Sequence, residues 1–209
     1  MFRRKAVPPT IPPEAMIVGL GNPGPEYAGT RHNVGFDLID QLAKKHQVRV
    51  DIRKHRAVYG QGTVEGKSVL LVKPLTYMNL SGQAVSTIAK AYGIKPGSIL
   101  VVADELDLPL ARVRMKPKGG PGGHNGHRSL IASLGTHEYP RIRIGIGKGG
   151  PDTIDHVLNR FRPDERKAIE EALDLAEKGC EIWLTDGIEK AASYVNTSSR
   201  GDAKGDEPS

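Results

Sequence analysis

The sequence predicts an α/β fold in a single domain, with a mixed, largely parallel twisted sheet flanked by helices. Three observations lead there. Short, near-continuous apolar runs rich in β-branched residues have the composition of strands covered on both faces. Stretches of helical apolar periodicity separate them. The two ends of the 209-residue chain differ in composition from this alternating middle, which is long enough for one compact core and short for two.

Residues 1–14 form a basic, proline-rich extension, with Pro8, Pro9, Pro12 and Pro13 following Arg3, Arg4 and Lys5. That composition favours extended, unpacked chain. Met16 is a candidate natural start, and Met16 to Leu20 reads as the first strand. Val34, Leu38, Ile39 and Leu42 form a helical stripe, with Thr30 as expected N-cap. Ser68 to Val72 is a further strand, Ala84, Ile88 and Ala91 mark a second helix with Ser81 as expected cap, and Ile99 to Ala103 is another buried strand. Pro163 opens a long helix with Asp164 and Glu165 in its first turn. Its apolar stripe runs through Ile169, Ala172, Leu173, Ala176, Cys180, Trp183 and Leu184. The order is β, α, β, β, α, β, then α, β, α, over a folded unit of 15–197. Residues 198–209 are mostly small or charged and predict a disordered tail.

Thirty Lys and Arg against 24 Asp and Glu give a net charge of +6, which suits a phosphate-rich partner without requiring one. The single cysteine excludes an internal disulfide and a multi-cysteine zinc site, and its place on a buried stripe argues against a nucleophile. No apolar run approaches a membrane span and the first residues lack a signal-peptide core, so the cytoplasm is expected.

Gly19-Leu20-Gly21-Asn22-Pro23-Gly24 has the spacing of a dinucleotide-binding turn. Pro23 and Pro25 interrupt it where the phosphate-binding helix should begin, and Asp40 lies in a helix instead of at a strand end. The more useful signal is polar residues just past buried strands. Asn22 follows the first strand and Asp104 follows Ile99 to Ala103, so both meet the sheet edge where α/β sites lie. His32 sits in the first helical turn beside that edge. An Asp accepting from one imidazole nitrogen would leave the other free to take a proton from water. His46, His55, His137 and His156 lack comparable company.

The third cluster is Lys118-Gly119-Gly120-Pro121-Gly122-Gly123-His124-Asn125-Gly126, whose glycines allow close backbone approach and present amide donors to anionic oxygens. Arg112, Arg114, Lys116 and Lys118 lead into it at two-residue spacing, which puts all four on one face of an extended strand. Arg141 and Arg143, alternating with Ile142, Ile144 and Ile146, repeat the device. Two basic strand faces beside a glycine loop point to a phosphate backbone. His124 and His127 are three apart but lack a Cys or Glu-rich motif, so no metal is expected. No Gly-x-Ser-x-Gly elbow occurs.

Six segments in order resemble the bacterial-type peptidyl-tRNA hydrolase family: Ile17 to Gly24, Thr30 to Asn33, Tyr77 to Gly82, Asp104 to Pro109, Gly122 to Gly126 and Arg143 to Gly147. The resemblance covers about 15–195; the terminal extensions match nothing in it. It implies hydrolysis of the ester bond joining peptide to tRNA, with no cofactor, no metal, no membrane or obligate protein partner, and a monomeric state. It implies His32 as general base, Asp104 as its orienting partner, and Asn22, Asn79 and Asn125 as amides holding the peptide, the water and the oxyanion. His124 of the glycine loop falls in the same motif, Tyr27 would contact the peptide-ester region, and Lys116 and Arg143 would grip the 5′ phosphate of the acceptor stem. The rival is a non-catalytic RNA-binding relative of the same fold. Retention of His32, Asp104 and Asn22 favours the enzyme.

Overall fold

The computed structural model describes residues 11–148 and 153–201. Seven strands form one sheet in the order β2-β3-β4-β1-β5-β7-β6. The central strands β1 (Ala15–Gly19), β4 (Lys67–Pro74), β5 (Ile99–Glu105) and β7 (Arg141–Gly145) are parallel. Antiparallel strands close both sides: β2 (Ile52–Lys54) and β3 (Ala57–Val64) at one, β6 (Val113–Lys116) at the other. The mixed, largely parallel sheet expected from the sequence is therefore present.

The apolar runs produce this sheet because successive side chains alternate faces. Ile17, Leu71, Leu100, Val102 and Ile142 face α1 (Val34–Lys45) and α5 (Pro163–Asp186) in one core. Met16, Val18, Leu70, Val72 and Val101 face α2 (Ser81–Tyr92) and α3 (Asn125–Leu134) in the other. Every residue of β1 and β5 is buried. The chain leaves β1 for β4 on one side, and α2 then carries it from β4 to β5 on the other side of β1. Such a reversal of direction opens a crevice beyond the carboxyl ends of the strands, here those of β1 and β5.

Several local expectations change. A 3₁₀ turn, Arg31–Asn33, precedes α1, and Thr30 does not cap it by accepting; its hydroxyl donates to the Tyr27 carbonyl at 2.8 Å. Ser81 is likewise inside α2, donating to the Met78 carbonyl at 2.9 Å. Each hydroxyl shares the carbonyl that already accepts its own backbone N–H in a tight turn. The three exposed residues of β2 carried no apolar signal. The long helical pattern breaks at Gly187 (φ 87°), where α6 (Ile188–Gly201) begins. That helix runs past the expected boundary at 197, because Ser199 is buried and accepts the Val113 backbone N–H at 2.9 Å. At the other end the Ile11 carbonyl accepts from Gln61 Nε2 at 2.7 Å, tying the last part of the predicted extension to β3. Residues 1–10 and 202–209, where the rest of both predicted tails falls, lie outside the described residues.

Cys180 is buried on the α5 stripe, and burial pushes its thiol up, so it is inert as a nucleophile. His46, expected to stand apart, meets the buried Glu181 at 3.1 Å, and Lys45 bridges Glu177 and Glu181. No described helix is long and apolar enough to cross a membrane.

Candidate active site

Asn22 follows β1 in a loop built without a phosphate-binding helix. Gly19 is required there for packing, since a Cβ would lie 2.0 Å from the Gly35 carbonyl oxygen of α1. The loop continues into a 3₁₀ turn at Pro25–Tyr27, and α1 begins only at Val34. The phosphate-binding geometry of a dinucleotide turn is thus absent from this segment.

Asn33 fixes the Asn22 backbone twice: its Oδ1 accepts the Asn22 N–H at 2.8 Å and its Nδ2 donates to the Asn22 carbonyl at 2.9 Å. The Asn22 side-chain oxygen then accepts the Met78 N–H at 2.9 Å. With that oxygen engaged, the NH₂ end is the one left to meet a ligand. Sequence reasoning gives Asn33 no role of its own; an asparagine directly beside the candidate base was the available signal.

The same turn buries Arg31 and Asn33 and leaves His32 half-buried between them. Asp104 and Glu105 end β5 and point in opposite directions, as neighbouring strand residues do. Asp104 Oδ1 lies 2.8 Å from His32 Nδ1 and 3.0 Å from His124 Nε2. His124 Nδ1 accepts the N–H groups of Gly126 and His127 at 3.1 and 3.3 Å, capping α3. Its proton is therefore on Nε2 and is donated to Asp104. In the neutral His32 ring the bond to the same carboxylate oxygen puts the proton on Nδ1 and makes Nε2 the acceptor, with no partner among the described residues. Burial raises the Asp104 pKa, but His124 and then His32 outweigh it and hold the carboxyl well below the usual range. Asp104 is thus a carboxylate wherever a histidine titrates.

His32, Asp104 and His124 are also close enough to offer ligand atoms to a cation. Around tetrahedral zinc with bonds of 2.0–2.1 Å, neighbouring ligand atoms stand about 3.3 Å apart. The observed 2.8 and 3.0 Å fit N–H···O bonds instead. A metal would have to displace the proton that His124 needs while its Nδ1 caps α3.

Asn22, His32, Asn79 and Asn125 line one groove of about 810 Å³. Asn79 and Asn125 are exposed at the starts of α2 and α3, and Asn125 Oδ1 accepts from Arg128 at 2.7 Å. Tyr77, Leu80, Ile154 and Leu158 add an exposed apolar wall that went unnoticed in the sequence, where each looks like an isolated surface residue. Tyr27 is not among the lining residues; its carbonyl anchors Thr30.

The basic strands pair as expected, with Arg114 opposite Arg143 and Lys116 opposite Arg141. Their charges do not form one open stripe. Arg143 is paired with Glu105 at 2.6 Å, and Lys118 with Glu138 at 2.8 Å. Arg141 is buried and donates to the carbonyls of Gly120 and His137, holding the glycine loop. Lys116 is exposed and has no partner among the described residues. Lys116 and Arg143 line a cleft of about 270 Å³ together with that loop.

Comparison with known proteins decides the family. The model of the family described as peptidyl-tRNA hydrolase matches residues 16–203. The chain belongs to the peptidyl-tRNA hydrolase family. It is 50% identical over 186 residues to the peptidyl-tRNA hydrolase of Symbiobacterium thermophilum, covering 87% of this chain and 98% of that one. The Bacillus subtilis enzyme of that name is 50% identical over 172 residues, 81% and 92% of the two chains. The crystal structure of peptidyl-tRNA hydrolase from Acinetobacter baumannii superposes with a TM-score of 0.84 at 39% identity, over 88% of this chain and 94% of that one. The chain is thus a hydrolase of this family, and its fold is the family's fold.

Proposed function

We propose that this hydrolase cleaves the ester bond between peptide and tRNA in peptidyl-tRNA, releasing both, with His32 as general base. The reading is carried by one observation: His32 Nδ1 is committed to Asp104 at 2.8 Å, so the free Nε2 belongs to a groove lined by three asparagines. Nε2 takes a proton from water as the water attacks the ester carbonyl. The Asn22 NH₂ donates to the oxyanion, and the imidazolium returns its proton to the leaving tRNA hydroxyl as the ester bond breaks. Asp104 stabilises the imidazolium, while Asn79 and Asn125 hold the peptide through its backbone, where neutral amides impose no sequence preference. Tyr27 would touch the peptide-ester region from outside the groove wall.

Incubation with peptidyl-tRNA and separation of freed tRNA on a gel tests the activity; intact ester after exhaustive incubation would reject it. Asp104→Asn should fall between wild type and His32→Ala. The amide oxygen can still accept both histidine protons, but it cannot stabilise a charged ring. An Asp104→Asn variant as active as wild type would remove Asp104 from the relay.

Lys116 and Arg143 grip the 5′ phosphate of the tRNA in this reading. Neutralising Lys116 should raise KM and leave kcat nearly unchanged. Each lost phosphate contact should also make log affinity against log salt shallower by about 0.7 to 0.9. An unchanged slope would place the phosphate elsewhere.

A further inference from the structure

Helix α3, whose Asn125 lines the groove, turns its next inward residue toward the basic cleft. His127 is 2% exposed and lines that cleft with Lys116, Arg141 and Arg143. Its Nδ1 lies 3.1 Å from the Tyr139 hydroxyl, while its Nε2 is buried with no partner among the described residues. Tyr139 is itself fully buried, and among the described residues its hydroxyl has no acceptor other than His127 Nδ1, since Arg141 beside it can only donate. The hydroxyl proton therefore goes to His127 Nδ1, and the ring carries its own proton on Nε2.

Burial, then the neighbouring His124 and Arg141, hold the His127 imidazole neutral. A buried N–H without an acceptor is costly, and Arg141 Nε and Arg143 Nε share that condition. Three unpaired donors thus belong to residues of one cleft that also carries a free lysine. Arg143 already pairs with Glu105 through Nη1; what the three N–H groups lack in common is an acceptor oxygen.

We propose that His127 is a specificity-determining residue whose Nε2–H donates to an oxygen of the tRNA terminal phosphate at the floor of this cleft. The proposal rests on the phosphate reading of Lys116 and Arg143 and adds a neutral, directional donor to their charge. His127 is also tied to the catalytic relay, since its backbone N–H donates to His124 Nδ1 at 3.3 Å.

The test compares kcat/KM on peptidyl-tRNA bearing a 5′ phosphate with the same substrate bearing a 5′ hydroxyl. His127→Leu should lose about ten-fold or more on the phosphorylated substrate, the share of a hydrogen bond to a charged group, and little on the other. His127→Gln, which keeps an N–H donor, should retain most of the discrimination. Equal losses on both substrates would mean a packing role and overturn the proposal. Discrimination that disappears in Lys116→Ala but survives in His127→Leu would overturn it while leaving the phosphate reading intact; discrimination that survives in both would reject that reading first. Should the leucine variant not fold, the wild-type enzyme decides by NMR. A 5′-phosphorylated acceptor-stem duplex should shift the His127 Nε2–H resonance, its 5′-hydroxyl twin should not, and identical spectra would overturn the proposal.

Discussion

His32→Ala should lower turnover by roughly 10² to 10⁴-fold, the usual share of a positioned general base, with the affinity for tRNA nearly intact. The size of the loss reflects how completely the ring is arranged. Its Nδ1 proton is held by a carboxylate that remains charged, so in the proposed mechanism deleting the ring removes both the proton acceptor and the site of the transient positive charge. Asn22 stays in place, held by Asn33 and Met78, so residual hydrolysis from oxyanion stabilisation should persist. Single-turnover measurement with bound peptidyl-tRNA separates this from weakened binding. Wild-type turnover in the variant would remove His32 from the chemistry.

Arg31→Ala should destabilise the fold by about 3 kcal/mol, the low end for breaking a buried ion pair, because the Glu165 carboxylate keeps only the Arg162 N–H and the exposed Arg162 guanidinium. Arg31 Nη2 pairs with Glu165 at 2.6 Å, with side-chain exposures of 7% and 10%. Its Nη1 donates to the Arg160 carbonyl at 2.6 Å, joining the turn that carries His32 to the start of α5. Urea unfolding at neutral pH measures the loss; a change below about 1 kcal/mol would mean the pair holds nothing together. The pH dependence has a definite sign. Burial raises the Glu165 pKa, but the Arg162 N–H and then Arg31 more than offset it, leaving it below the ordinary value. A carboxyl lowered in the folded state stabilises above its unfolded pKa, and that contribution is lost as pH falls through the folded one. The gap between wild type and variant should therefore be widest near neutrality and close in acid.

Much of this protein was determined by local pattern. The buried runs at Met16 to Leu20 and Ile99 to Ala103 became the adjacent central strands, since a segment apolar on both faces can be satisfied only inside a covered sheet. Asn22 and Asp104 then had to emerge at one edge, and His32 beside them, because short connections leave a parallel strand little freedom of direction. The α5 stripe likewise buried Cys180 where its phase required.

Only the tertiary structure decided the contacts between segments distant in the chain. That Asp104 takes protons from two histidines, that Asn33 clamps Asn22, and that Arg31 crosses to Glu165 depend on sequence separations of 11 to 134 residues. The same holds for charge. Lys116, Arg141 and Arg143 look equivalent in an alternating pattern, yet one is exposed, one holds a loop and one faces Glu105. Periodicity specifies which face of a strand a side chain occupies; which neighbour waits there depends on the packing of other elements, and no local pattern encodes that.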